Sequence, residues 1–149
     1  IMPIRCEIVS QDRKVFEGEA DTVILPGSEG EMGILPRHAP LLTTLKYGII
    51  TVRLQGKEEH FTVAGGIAEI QPELITILAD AAENVEEIDI SRADSARKRA
   101  EEILARGVPA DTDAYLAMEA ALKRSNLRLE AARRYRKGTR PSRLTDDSR

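Results

Sequence analysis

The sequence predicts an α+β protein, in which an N-terminal antiparallel β-sandwich is followed by a C-terminal antiparallel two-helix hairpin. The first part alternates apolar and polar residues in short stretches that Gly and Pro interrupt. Near Ala82 this pattern gives way to charged, Ala-rich sequence with helical spacing. We therefore expect a rigid β domain at 1–86, a mobile helical hairpin at 87–137 and a flexible basic and polar tail at 138–149.

Strand character recurs at short intervals in the β domain. Ile50 and Val52 alternate with Thr51 and Arg53, which is typical of a half-buried antiparallel strand. Many short strands at this spacing favour a sandwich or barrel, and the lack of alternating strands and helices argues against a parallel nucleotide-binding sheet. The predicted strands are Ile4 to Val9, Ala20 to Leu25, Met32 to Leu35, Leu41 to Leu45, Gly48 to Leu54, Glu58 to Ala64, Gly66 to Ile70 and Leu74 to Ala79. Hairpin connections are expected at Gln55 to Lys57 and at Gln71 with Pro72.

Two helices are expected after the strands. The first runs from Asp89 to Arg106, and Gly107, Val108 and Pro109 stop it. Its apolar positions follow helical spacing, and they are Ala93, Ala96, Ala100, Ile103 and Leu104. The second helix is capped by Asp111 or Asp113 and runs to about Lys137, where Gly138 and Pro141 end the ordered structure. Its buried seam is expected at Tyr115, Met118, Leu122, Ser125, Leu129 and Ala132.

Composition and charge exclude several classes of protein. Cys6 is the single cysteine among 149 residues and alternates with Ile4 and Ile8, so we interpret it as a small core residue rather than a nucleophile. No apolar run is long enough to span a bilayer, so we expect a soluble protein. The net charge of −3 conceals a basic end, since seven basic and two acidic residues follow position 132. That end is either solvated tail or a contact for an acidic partner. Few aromatic residues and an acidic body argue against nucleic-acid binding.

The sequence contains no recognisable catalytic or metal-binding set. His38 and His60 are the only histidines, and neither has a neighbouring His or Cys in ligand register. A small hydrolase that uses Asp89 or Glu83 as a base is a weak hypothesis, because no nucleophile accompanies them. We therefore do not expect an enzyme. His38 lies between Pro36 and Pro40 in a rigid loop, as either a contact residue or an inert one.

One pattern indicates a binding site for an anion. With Asp89 as the N-cap, Arg92 falls at the third position of the first helix, where the helix dipole already contributes positive potential. Arg99 lies two turns further on. Arg124 and Arg128 are one turn apart on the second helix, so four guanidinium groups could converge on one phosphate-sized site, with Glu83 and Asp89 to orient them. The alternative is ordinary charge on exposed helix faces.

The segments LPGSEGEMGILPRHAPLLTTL, from Leu25, and VAGGIAEIQPELITILADAAE, from Val63, closely resemble the epsilon subunit family of bacterial F-type ATP synthases, called delta in mitochondria. The resemblance covers about Ile4 to Arg133 and implies a β-sandwich followed by a helical hairpin. It implies that the sandwich binds the gamma subunit and the ring of c subunits in the rotating central stalk. It also implies a peripheral position on the cytoplasmic side of the bacterial inner membrane. The motif places Glu29, Glu31, Met32 and His38 near those partners.

The resemblance further implies that the hairpin is a brake on ATP hydrolysis. Extended, it reaches the catalytic head of alpha and beta subunits, and folded down it permits rotation. Some members bind ATP as a regulatory ligand in the folded hairpin, although no cofactor is obligatory. The positions that match that site here are Glu83, Ile88, Asp89, Arg92, Ala93, Arg99, Arg124 and Arg128. The C-terminal stretch GTRPSRLTDDSR extends beyond the expected hairpin. A competing hypothesis is a free-standing ATP-binding sensor or adaptor without a rotary partner.

Overall fold

The computed structural model describes residues 2–107 and 111–136. Eight strands come first, then a one-turn 3-10 helix at Val85–Glu87, then two helices. The strands are β1 Ile4–Val9, β2 Lys14–Ala20, β3 Thr22–Gly27, β4 Gly30–Ile34, β5 Leu41–Leu54, β6 Lys57–Ile70, β7 Leu74–Ala79 and β8 Ala82–Asn84. The helices are α1 Ile90–Ala105 and α2 Thr112–Tyr135. This order confirms the predicted fold class, a sandwich followed by two helices.

The strands are hydrogen-bonded in the order β2, β1, β7, β6, β5, β3, β4, with β8 paired to β6. Every pairing is antiparallel except that of β1 with β7. The sheet encloses one apolar core, whose largest fully buried side chains include Phe61, Ile4 and Ile77. Cys6 is buried in this core, and burial, followed by the charge of Glu7, raises the pKa of its thiol to about 12.

The two longest strands pass from one layer of the sandwich to the other. In β6 the residues buried in the core are Phe61 and Val63 before Gly65, but Ala68 and Ile70 after it, so the core-facing positions change from odd to even. Gly65 and Gly66 have φ of 87° and 137°, which permits this change of face. The prediction of two separate strands in this region was therefore wrong, because the glycines bend a continuous strand. The same correction applies to β5 at 41–54.

Two strands were absent from the predicted set. The first, β2, is an edge strand with one fully buried residue, Ala20, so its apolar alternation is weak. The second, β8, has only three residues. The predicted turn after Leu54 is confirmed as a tight hairpin, in which Gln55 and Gly56 have φ of 50° and 79°.

Both helices begin as the sequence indicates. The Asp89 carboxylate accepts a hydrogen bond from the Arg92 amide at 3.0 Å, and the Asp111 carboxylate caps α2 through the Asp113 amide at 3.0 Å. On α1 two ion pairs form between residues four apart, with Lys98 3.1 Å from Asp94 and Arg97 3.2 Å from Glu101. The predicted stop at Val108 and Pro109, the helix end at Lys137, the breakers Gly138 and Pro141 and the tail at 138–149 lie outside the described residues.

The helices form an antiparallel pair, and α2 is the helix that packs against the sandwich. The buried side chains of the two helices are all small, and they are Ala93, Ala100, Ser125, Ala131 and Ala132. Of the predicted α2 seam, Ser125 and Ala132 are buried, whereas Tyr115, Met118, Leu122 and Leu129 are half-buried. Few large apolar groups therefore hold the hairpin.

Candidate functional site: the cleft between sandwich and hairpin

The C-terminal half of α2 docks on the sandwich through a small apolar cluster. Ala131 and Ala132 contact Val85 and Ile88, which lie in and just after the 3-10 helix, and Ile49 of β5 packs against their edge. Because two of these five side chains are alanines, the apolar area that docking buries is small. Polar contacts surround the cluster, and they define the candidate site.

A cleft of about 490 Å³ lies between the sandwich and the hairpin. One wall is formed by the β1–β2 turn and by the residues that lead into β8, and the other by α2 with Ala96 of α1. Charged groups of both signs line it, namely Asp12, Arg13, Asp80, Glu83, Arg124 and Arg128. Such a cleft can accept an anion at its arginines and donor groups at its carboxylates.

A bidentate ion pair in the cleft joins Arg128 of α2 to Glu83 of β8. The guanidinium Nε donates to one carboxylate oxygen and Nη2 to the other at 3.3 Å, so the pair is bidentate. Both side chains are mostly buried, with 28% and 22% of their surfaces exposed. Arg13 at the rim pairs with Glu87 at 3.1 Å. Arg124, one turn before Arg128, is exposed and faces the same cleft.

The structure brings three of the predicted site residues to the cleft: Glu83, Arg124 and Arg128. Arg92 and Arg99 are exposed on α1 and are not among the residues that line it. They flank Ala96, which does line it, one turn before and one turn after on the same helix face.

The other residues of the predicted ATP site lie at the start of α1 and have structural roles there. Ile88 and Ala93 are buried, and Ile88 packs against Ala131 and Ala132 of α2. Asp89 caps α1. The segment from Ile88 to Ala93 thus fixes the start of α1. Arg92 is the basic residue of this segment, and its side chain is exposed.

The predicted partner-binding residues lie on and around β4. Glu29 is in the turn between β3 and β4, and Glu31 follows on β4 with its side chain exposed. Met32 is half-buried and packs against the core. His38 lies beyond the other end of β4, where its Nδ1 is 2.7 Å from the Ala39 carbonyl oxygen.

Several contacts of the hairpin were not predicted. The ammonium group of Lys123 lies 4.3 Å from the centre of the Tyr47 ring, and the Tyr135 ring stacks on His60 at 4.3 Å between centroids. Arg136 donates to two backbone carbonyls near the start of α1. The sequence carries no local signal for these pairs, because each joins residues that only the docking of α2 brings together.

An apolar patch was also not predicted. Leu42, Ile67 and Leu78 project from the same outer face of β5, β6 and β7, where Ile67 and Leu78 are direct cross-strand partners. Their exposed fractions are 69%, 44% and 56%. Contiguous exposed apolar side chains make this face a candidate protein-binding surface. We call these three residues the outer patch.

Within the described ranges, no helix is both long and apolar enough to cross a bilayer. Among the same residues, no three His, Cys, Asp or Glu side chains gather as a metal site would require.

The fold and the cleft define a class of protein in which a β-sandwich carries a docked two-helix hairpin. Family models match both parts: the ATP synthase delta/epsilon chain β-sandwich domain matches residues 3–85, and the delta/epsilon chain long α-helix domain matches residues 86–133. The chain belongs to the delta/epsilon family of ATP synthase subunits.

Two bacterial relatives are similar in sequence to this chain over most of their length. The ATP synthase epsilon chain of Dehalococcoides mccartyi strain BAV1 is 44% identical over 135 residues, which cover 90% of this chain and 95% of the relative. That of Moorella thermoacetica is 46% identical over 130 residues, covering 87% and 96%.

Solved structures share the fold of this chain. A chain in the Euglena gracilis mitochondrial ATP synthase, described as OSCP/F1/c-ring, superposes with a TM-score of 0.71 and 27% identity over 89% of this chain and 82% of that one. A chain of the Tetrahymena thermophila mitochondrial ATP synthase central stalk and c-ring shares the fold, with a TM-score of 0.58 and 11% identity over 87% and 96%.

Proposed function

We propose that this chain is a rotor subunit in the central stalk of an F-type ATP synthase. Its sandwich would dock on the gamma subunit and the c-ring, and its hairpin would regulate ATP hydrolysis by the alpha and beta subunits. The chain itself is non-catalytic in this proposal and sits on the cytoplasmic side of a bacterial plasma membrane. Family membership and the bacterial epsilon chains at 44% and 46% identity support it.

The outer patch is the proposed docking surface for the gamma subunit. The outer face of the other half of β5 and β6, around Ile49 and Thr62, lies beneath the hairpin, whereas Leu42, Ile67 and Leu78 are uncovered. Glu69 and Thr76 lie beside the patch and give it a polar border. An apolar centre with a polar rim is the usual anatomy of a protein interface.

The proposed regulation of ATP hydrolysis is supported by the composition of the contact between hairpin and sandwich. Its contact with the sandwich combines two buried alanines of α2 with polar pairs such as Arg128 with Glu83. Polar contacts can be exchanged for others at small cost, so a folded and an extended hairpin can be close in free energy. The same arginines would then meet acidic groups of the catalytic head when the hairpin extends.

ATP is the proposed regulatory ligand of the folded state. Arg124 would meet phosphate oxygens directly, and Arg92 and Arg99 could close over the ligand from α1. If ATP binds the folded hairpin alone, it stabilises that state by about 2.7 kcal/mol at a hundredfold excess over Kd. That free energy shifts the equilibrium between the two states roughly a hundredfold.

The test measures ATP hydrolysis by the purified catalytic head with its gamma subunit. The head is mixed with the 149-residue chain, or with a truncated chain that ends at Glu87, over a range of ATP concentrations. We expect the complete hairpin to inhibit and rising ATP to relieve the inhibition. Equal rates with both chains, despite demonstrated binding of both, would contradict the brake and leave the docking role.

A second arm tests the ligand by calorimetry. Arg124→Ala should weaken ATP binding about tenfold, the effect of losing one charge-assisted hydrogen bond. Arg133→Ala is the matched control, since its side chain is 81% exposed on the same helix. ATP binding without any binding to the gamma subunit would instead favour a free-standing sensor.

A further inference from the structure

The C-terminal end of α2 lies against the connection between the two domains. Its last residue, Tyr135, stacks on the ring of His60 in β6, with centroids 4.3 Å apart and planes at 25°. The His60 ring is itself held by the sheet: Nδ1 is 3.0 Å from Thr51 Oγ1, and Nε2 is 3.4 Å from a Glu58 carboxylate oxygen. Tyr135 therefore rests on a side chain whose plane is fixed.

The next residue, Arg136, binds the segment that connects the sandwich to α1. Arg136 Nη1 donates to the Ile88 carbonyl and Nη2 to the Glu86 carbonyl, both at 2.9 Å. These carbonyls belong to the segment 85–89, which joins the sandwich to α1. The fork thus spans the residues whose backbone dihedral angles must change if the hairpin swings away.

We propose that Tyr135 and Arg136 form a latch that holds the hairpin closed by immobilising its own hinge. One contact acts on the sandwich and the other on the hinge: the Tyr135 ring anchors α2 to β6, and the Arg136 fork fixes the backbone between Glu86 and Ile88. Opening requires that both break together. The latch would regulate the hairpin of the proposed function. It rests on that proposal, because a latch requires that the hairpin also has an open state.

The location of these contacts explains why they control opening. The docking cluster contributes mainly Ala131 and Ala132 from α2, which offer little apolar area. The pair of Arg128 with Glu83 joins α2 to β8, before the hinge, and leaves the backbone at 86–88 unconstrained. Arg136 bonds directly to two carbonyls of the hinge, those of Glu86 and Ile88.

The experiment measures the distance between two spin labels in the 149-residue chain. The labels are placed on Lys46→Cys in the sandwich and Glu102→Cys in α1, both of which are exposed positions outside the latch. Cys6 remains in place, because a thiol that is buried with a raised pKa stays unlabelled while the sandwich is folded. A count of two labels per chain therefore reports an intact sandwich.

The Tyr135→Ala, Arg136→Ala double variant should increase the population with a long distance about tenfold over the parent chain. Tyr135→Phe retains the stacked ring and should keep the parent distribution. Arg133→Ala is the matched control for the loss of one arginine near the end of α2, and it should also keep that distribution. If the double variant takes up a third label, Tyr135→Leu with Arg136→Gln replaces it.

An unchanged distribution in the double variant would overturn the latch, as would an equal change in Arg133→Ala or a parent chain that is already mostly open. The same variants are then added to the catalytic head. A shift in distance without any change in hydrolysis would support the latch and contradict the brake. Unchanged distances would overturn the latch whatever the hydrolysis rate does.

Discussion

Arg128 on α2 holds both carboxylate oxygens of Glu83 on β8, although 45 residues separate them in sequence. This pair is a bidentate link between hairpin and sandwich, and both side chains line the proposed ligand cleft. An anionic ligand that recruits Arg128 must therefore compete with Glu83. The pair links the stability of the folded hairpin to the occupancy of the cleft.

Removing one partner of this pair should loosen the hairpin. Arg128→Ala leaves the largely buried Glu83 carboxylate without its guanidinium, and we expect the free energy of opening to fall by about 1 kcal/mol. Hydrogen exchange of the α2 backbone amides measures that opening. In a double-mutant cycle with Glu83→Gln, the coupling should also be about 1 kcal/mol. Arg124→Ala is the control, and a coupling near zero would contradict the role of the pair.

The change of layer at Gly66 should be intolerant of any side chain. A Cβ at this position would lie 2.3 Å from the Leu78 carbonyl oxygen, and φ is 137°. Gly66→Ala should therefore destabilise the sandwich by about 3 kcal/mol, which urea unfolding measures. Gly33→Ala is the matched control, since its added Cβ would meet nothing within 4 Å. Similar stability of the two variants would mean that the strand can cross layers without a glycine.

These positions show what the sequence could and could not predict. The fold class follows from local periodicity, because the alternation around Ile50 and the helical spacing after Asp89 are visible within a few residues. Gly65 and Gly66 caused the incorrect division of β6 into two strands. In sequence, a glycine pair that bends a strand looks the same as a pair that ends it.

The cleft was predictable only in part. Asp89 follows the local rules of helix capping, so its position could be predicted. The stacking of Tyr135 on His60 depends on the angle at which α2 docks, and no local pattern encodes that angle. For the same reason, the spacing of Arg92 and Arg99 does not reveal that Ala96 between them faces the cleft.

Alkaline pH should destabilise the sandwich through Cys6. Its thiol has an ordinary pKa of 9.0, which burial raises to about 12 in the folded chain, so folding favours the protonated form. This contribution is complete below about pH 9 and is lost as pH rises from 9 towards 12, by roughly 1 kcal/mol per pH unit. Urea unfolding at several alkaline pH values measures the loss. Cys6→Ala removes the group, so the difference between the two pH profiles isolates its effect; parallel profiles would contradict the prediction.

A charge in the outer patch should weaken binding to the gamma subunit. Leu78→Asp places a carboxylate beside Ile67, its cross-strand partner, and a charge in the centre of an apolar interface is strongly unfavourable. We expect the affinity for the gamma subunit to fall at least tenfold in a surface-binding measurement, with an unchanged thermal midpoint. Leu116→Asp is the matched control, because Leu116 on α2 is similarly exposed at 53% but lies outside the patch. Equal affinities of the two variants would show that the gamma subunit binds elsewhere, and a loss in both would point to a general effect of charge rather than to the patch.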